Sequence, residues 1–222
     1  MAWTFEAKFD SDSSPAYSTG DLNGQNSWSG GTGTDVVTTT PYQGDQCVSG
    51  GDEANITRTF TAVSSGVVYF AMRRSTVASG DARVDFRANS NTQIKTWVRF
   101  ATDITIINGG GSTTIVASPT ANLWYLFELT INADDTFAIR YHNGTSWSTP
   151  ITGLAANTGV TADIDAIRLT GGTPGACLYD YISPTNPIAS SNIKSLDSNI
   201  RANIKSFNSN VIANIKSIDS NA

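Results

Sequence analysis

Arg83, Asp85 and Arg87 occupy alternate positions of one short stretch, and Lys95, Trp97 and Arg99 occupy alternate positions of the next. Val84 and Phe86 fall between the first three; Thr96, Val98 and Phe100 interleave with the second three. Alternation with a period of two marks a half-buried strand, because successive side chains point to opposite faces of a sheet. If the two strands pair, one outward face gathers three arginines, a lysine, an aspartate and a tryptophan. An indole stacks on the C–H faces of sugar rings, and a guanidinium makes paired hydrogen bonds to carboxylates or hydroxyls. The set therefore reads as a platform for a glycan, with an acidic glycan the suited class. The plain alternative is a solvated sheet face of cross-strand charge pairs, with Trp97 covering a lysine stem.

Other reactive groupings are sparse. The single histidine, His142, lies beside Asn143-Gly144, a turn signal, so histidine-based triads and multi-histidine metal sites are excluded by inventory. Asp163 and Asp165 share a strand face and read as solvated carboxylates near a sheet edge, while Glu128 has no partner nearby in sequence. Trp147 is a second binding candidate, with edge packing as its alternative. Trp28, in a Gly/Ser-rich loop, is a rim residue or a plug over the end of the fold. Trp124 alternates away from the Leu123, Tyr125, Phe127, Leu129 and Ile131 face assigned to the core. Cys47 and Cys177 have no metal-binding spacing; two unbridged buried thiols are expected, with a disulfide between early and late strands as the alternative. Asn55 and Asn143 open glycosylation sequons of the kind that arise often by chance.

The elements that must position these residues are strands. Alternating runs bounded by Gly, Asn, Asp and Pro cover 54–61, 66–74, 82–88, 93–100, 103–107, 113–117, 122–132, 136–142, 163–170 and 176–182. Nothing in the body has helical periodicity. Charged residues make up only 15% of the 222. This composition and the short turns imply an all-β fold of two packed antiparallel sheets. The net charge of -5 argues against a nucleic-acid partner, and the longest apolar run, 67–72, is too short to span a bilayer. The first residues carry Glu6, Lys8, Asp10 and Asp12 without a signal-length apolar stretch, so synthesis in the cytosol is expected.

The motifs Phe5-Glu6, Gly20-Asp21-Leu22-Asn23-Gly24-Gln25-Asn26-Ser27-Trp28 and Tyr42-Gln43-Gly44 resemble the start of concanavalin A-like (laminin-G-like) jelly-roll domains. Trp124 to Ile131, Tyr141 to Trp147 and the closing Tyr179-Asp180-Tyr181-Ile182 fit the same pattern, and the resemblance covers residues 3–183. It implies a jelly roll that binds on its concave sheet or its rim loops, in a superfamily of lectins and glycan-cleaving enzymes. Its glycosidases carry Glu-x-Asp-x-(x)-Glu. The nearest stretch here, Asp163-Ile164-Asp165-Ala166-Ile167-Arg168, has Asp for the first Glu and Arg for the acid, which speaks against that catalysis. The resemblance also raises a structural calcium ion, with Glu6 and Asp180 as candidate ligands. No cofactor is required.

The end of the chain is different in kind. Asn-Ile-Lys-Ser recurs at residues 192, 203 and 214, a period of eleven. Ile193, Leu196, Ile200, Ile204, Phe207, Val211, Ile215 and Ile218 follow a 3-4-4 spacing, which on its own suits a right-handed helical coil. The intervening Asp/Asn-Ser-Asn triplets favour turns, so a strand-turn unit is the competing form. Units this small cannot bury their apolar faces alone and must stack, which points to several chains assembling, a trimer first among them, or to docking on a larger particle. The repeat phrasing resembles tails of structural proteins of tailed bacteriophages. The expected layout is a jelly-roll domain at 1–183, a Pro-containing linker at 184–191 and an assembly tail at 192–222.

These readings combine into one expectation: a non-enzymatic phage virion protein, a capsid decoration or fibre-type accessory. Its head would bind cell-surface glycans and its tail would contact copies of itself or other virion proteins. A bacterial secreted, hence extracellular, glycan-binding module and a jelly-roll glycan-cleaving enzyme are the alternatives.

Overall fold

The computed structural model describes residues 2–51, 55–109, 111–172 and 177–188. The chain separates into two units, 1–185 and 186–222. The repeat positions Ile193, Leu196, Ile200, Ile204, Phe207, Val211, Ile215 and Ile218 lie outside the described residues.

The first unit is built from strands: β1 (Gly20–Asp21), β2 (Trp28–Gly30), β3 (Thr34–Val37), β4 (Cys47–Gly50), β5 (Asn55–Val63), β6 (Gly66–Arg74), β7 (Ala82–Ala88), β8 (Gln93–Phe100), β9 (Ile104–Asn108), β10 (Gly111–Val116), β11 (Trp124–Ile131), β12 (Thr136–His142), β13 (Ile151–Ala155), β14 (Ile164–Thr170) and β15 (Cys177–Ser183). They form an eight-stranded sheet, β1-β3-β4-β15-β6-β11-β12-β13, and a seven-stranded sheet, β10-β9-β8-β7-β14-β5-β2. Every pairing between these strands is antiparallel. Strand β15 inserts between β4 and β6, and β14 inserts between β7 and β5, so strands from late in the first unit are clamped at the centres of both sheets.

The bounds of β6, β7, β8 and β12 coincide with the alternating runs in the sequence. Strands β1 to β4 and β13 were not anticipated. They are short and rich in Gly, Ser and Thr, and their pairing rather than their own pattern defines them. The sheet edges are blunted. β1 and β2 have two and three residues, and the pairings of β10 and β13 are interrupted by register shifts. Short or bulged edges deter pairing with another chain.

The core lies between the sheets. Val84, Phe86, Val98 and Phe100 of the seven-stranded sheet face Phe70, Met72, Tyr125 and Phe127 of the eight-stranded one, all buried. Phe70 bridges the layers, its ring 5.5 Å from Phe86 and 5.2 Å from Phe127. Trp28, 1% exposed, is a plug rather than a rim residue: it contacts Phe5 and Phe9, and its indole N–H donates to the Tyr17 hydroxyl at 3.1 Å.

The Asn143-Gly144 turn is longer than the two-residue form the dipeptide suggests. His142 bridges to Trp147, leaving four residues between, and Asn143 Oδ1 accepts the N–H of Thr145. Both cysteines are free and buried. Cys47 alternates with core-facing Val48, so it points outward, where its thiol donates to the Thr39 carbonyl; Cys177 packs in the core. Opposite faces of one sheet rule out a bond between them.

Candidate functional site

The register decides which of the charged residues meet. Across β7 and β8, Arg83 pairs with Arg99 and Asp85 with Trp97; across β7 and β14, Arg168 pairs with Asp85 and Thr170 with Arg83. Val84, Phe86, Val98, Phe100 and Leu169 alternate with these and sit in the core. Arg83, Asp85, Trp97, Arg99 and Arg168 therefore share the outward face of the seven-stranded sheet, at its centre.

Asp85 is the hub. Its side chain is fully buried beneath three guanidinium groups. Arg168 donates from Nε at 2.9 Å and from Nη2 at 2.6 Å, both to Oδ2. Arg87 Nη1 lies 3.5 Å from Oδ2 and Arg83 Nε lies 3.5 Å from Oδ1. Arg87 is held inward, its Nε and Nη2 both donating to the Asn91 carbonyl. Burial, and then the neighbouring Arg168 charge, lower the Arg87 pKa from the usual guanidinium value. Arg83 differs: its side chain is 24% exposed and its guanidinium makes no hydrogen bond among the described residues. Arg99 leans to the rim, 3.1 Å from Asp103 and 3.7 Å from Asp81. Trp97 is half-buried, between the Asp85 and Ile107 positions of its neighbours.

Two expected members of the platform are corrected. Lys95 occupies a register shift between β7 and β8, so it has no partner across β7 and leaves the alternation. It is 2% exposed, and its ammonium contacts Asp135 at 2.5 Å and the Ala162 carbonyl at 2.8 Å. It ties the β11–β12 turn of one sheet to the other sheet. Arg87 stays on the face but is buried by its bonds to Asn91. Arg168 is a member that no local pattern could add, because its neighbour in space is 83 positions away.

Two other carboxylates of the candidate set, Asp165 and Glu128, are occupied. Asp165 accepts the N–H groups of Ser90 and Asn91, stapling the β7–β8 turn, while Asp163 is exposed. Glu128 does have a partner: Arg140 directly across β12 donates to both its oxygens at 2.9 and 2.6 Å. Trp147 packs over Arg140 at 4.6 Å and beside Tyr69 and His142, an edge-packing role. A hollow of about 200 Å3 is lined by Glu128 and Arg140 together with Thr130, Ala138, Ile139 and Pro150.

Elsewhere the outward face of the eight-stranded sheet is covered. The carbonyl of Thr40 accepts the Trp124 indole N–H, and Asp180 accepts the N–H groups of Tyr42 and Gln43. The β3–β4 connection thereby lies across the sheet, and outward-facing Ala71 and Leu126 are buried. Gly44, at φ +72, completes that connection; a Cβ there would strike the Asp10 carboxylate. The residues do not fit calcium at Glu6 and Asp180. Asp180 spends its oxygens on three backbone N–H groups, and Glu6 pairs with Ser183 and Lys8. Among the described residues no group of three or more His, Cys, Asp or Glu could hold a metal ion.

No protein-family model and no curated protein matches the chain. Solved structures do. A sialidase matches with TM-score 0.54 and 16% identity over 81% of this chain, which corresponds to only 18% of the sialidase chain. A carbohydrate esterase from the Shiga toxin-encoding bacteriophage phi24B matches with TM-score 0.54 and 14% identity, over 81% of this chain and 98% of that one. An alginate lyase in complex with an alginate trisaccharide matches with TM-score 0.50 and 11% identity, over 82% and 98%. At such identities the likeness is one of fold, and the fold of residues 1–185 is a two-sheet antiparallel jelly-roll sandwich.

Proposed function

We propose that this chain is a non-enzymatic virion protein of a bacteriophage, either a capsid decoration or a fibre-type accessory. Its jelly roll binds surface glycans through the outward face of the seven-stranded sheet, and its repeat tail assembles or anchors it. The observation that carries the glycan reading is that an outward indole, Trp97, shares one sheet face with Arg83, whose guanidinium makes no hydrogen bond among the described residues, on either side of the buried Asp85 carboxylate. Sites on regular strands hold their geometry better than sites on loops, and pre-ordered groups lose less entropy on binding. The occupation of Asp165 by the β7–β8 turn supports the non-enzymatic reading.

The virion part rests on the eleven-residue repeat and its phrasing; that a phage-encoded carbohydrate esterase has the same fold along its length is compatible with it. A bacterial secreted glycan-binding module fits the head equally well. Light scattering on the full chain and on a chain ending at Thr185 tests the tail. A trimer or larger that becomes monomeric on truncation supports assembly through the repeats, and equal masses refute it. Retention of the native chain, but not of Trp97→Ala, on immobilised polysaccharide tests the head.

A further inference from the structure

We infer that the platform selects glycans bearing a carboxylate, seated between the guanidinium groups of Arg83 and Arg168 beside Trp97. This rests on the glycan-binding reading above and adds the charge class of the ligand.

Three guanidinium groups, those of Arg83, Arg87 and Arg168, converge on the single carboxylate of Asp85. The cluster keeps a positive excess within a chain whose net charge is -5. Arg83 also stands directly across from Arg99, and like charges at directly opposed positions destabilise a sheet. Arg99 has its own acidic partners, Asp81 and Asp103, so they neutralise Arg99 and not Arg83.

The donors of the cluster are unequally spent. Arg87 spends Nε and Nη2 on the Asn91 carbonyl and is nine-tenths buried. Arg168 spends Nε and Nη2 on Asp85, which leaves Nη1 without a partner among the described residues. Arg83 spends none of its donors on a hydrogen bond. Arg87 Nη1, Arg99 Nε and Arg83 Nε also make no hydrogen bond but are buried, so the terminal N–H groups left for a ligand are those of Arg83 and Arg168, whose side chains are 24% and 22% exposed. A planar fork of donors matches a carboxylate better than it matches a scattered set of hydroxyls. Asp85 is the positioning residue: fully buried, it orients the guanidinium groups without itself reaching the ligand.

The test uses the full chain, with polygalacturonate, its fully methyl-esterified neutral form, and dextran sulfate as probes in affinity electrophoresis. Retention by polygalacturonate should exceed that by the neutral ester. Arg83→Gln, which breaks no hydrogen bond in the protein, should weaken retention by about tenfold, the scale of one charge-assisted pair. Arg83→Lys keeps the charge but loses the fork, and should recover only part of the retention. Equal retention of both pectin forms, abolished by Trp97→Ala, would overturn the carboxylate inference and leave glycan binding standing. Dextran sulfate retained as tightly as polygalacturonate, with no response to Arg83→Gln, would also overturn it, because diffuse charge then suffices. No retention by any of the three probes, nor by neutral dextran or xylan, would overturn both the inference and the glycan reading.

Discussion

Arg168 and Asp85, 83 positions apart in the chain, meet with two guanidinium nitrogens 2.9 and 2.6 Å from one carboxylate oxygen. The contact exists because β14 lies beside β7, and it converts a surface stripe of arginines into an ordered cluster. Asp85→Ala would leave three guanidinium groups without their shared counter-ion. Removing one member of a buried ion pair costs about 3–5 kcal/mol, so a loss of that order is expected in urea unfolding. Arg83→Gln leaves Asp85 with Arg168 and Arg87, breaks no hydrogen bond, and should cost less than Asp85→Ala, about 1 kcal/mol.

Lys95 and Asp135 make an asymmetric pair, the lysine side chain 3% exposed and the aspartate 39%. Removing the exposed partner strands a buried ammonium on the Ala162 carbonyl alone. Removing the lysine leaves a carboxylate that water can reach. Asp135→Ala should therefore destabilise more than Lys95→Met, with the latter costing about 1–2 kcal/mol. Comparing the two midpoints of chemical denaturation checks the order, and a reversed order would refute the tether.

Burial pushes the Cys47 and Cys177 thiols up to about 12, from a usual 9.0. Between those values the unfolded chain has released protons that the folded chain retains. Stability contributed by these groups is intact below pH 9 and falls as the pH climbs toward 12. Urea unfolding at a series of alkaline pH values should show this decline. Both thiols should also resist a thiol reagent at pH 8 until the chain is unfolded, since the thiolate is the reactive form.

Asp165 bonds the backbone of Ser90 and Asn91 at 2.6 and 3.3 Å. Asp165→Ala should loosen that turn and cost about 1 kcal/mol, the scale of a lost capping bond. Glycan retention should persist, because Trp97 and Arg83 lie further along β8 and β7. Loss of retention with intact stability would give Asp165 a direct part in the site.

The alternation of Val84 and Phe86 with Arg83, Asp85 and Arg87 determined, from the sequence alone, a strand with one core face and one charged face. The same holds for β6, β8 and β12, whose periodicity is a local property of the chain. Local pattern could not reach further. Lys95 leaves the platform because a register shift releases it, and a shift is fixed only by how two strands pair. Arg168 joins the platform because β14 inserts beside β7, and no spacing in the sequence encodes that neighbour. Trp28 looks like a loop residue in its Gly/Ser-rich setting, yet the end of the sandwich has room for it and Tyr17 takes its N–H. Strand identity follows from side-chain period, whereas strand order follows from burying both apolar faces at once. That burial decided which arginines share one aspartate.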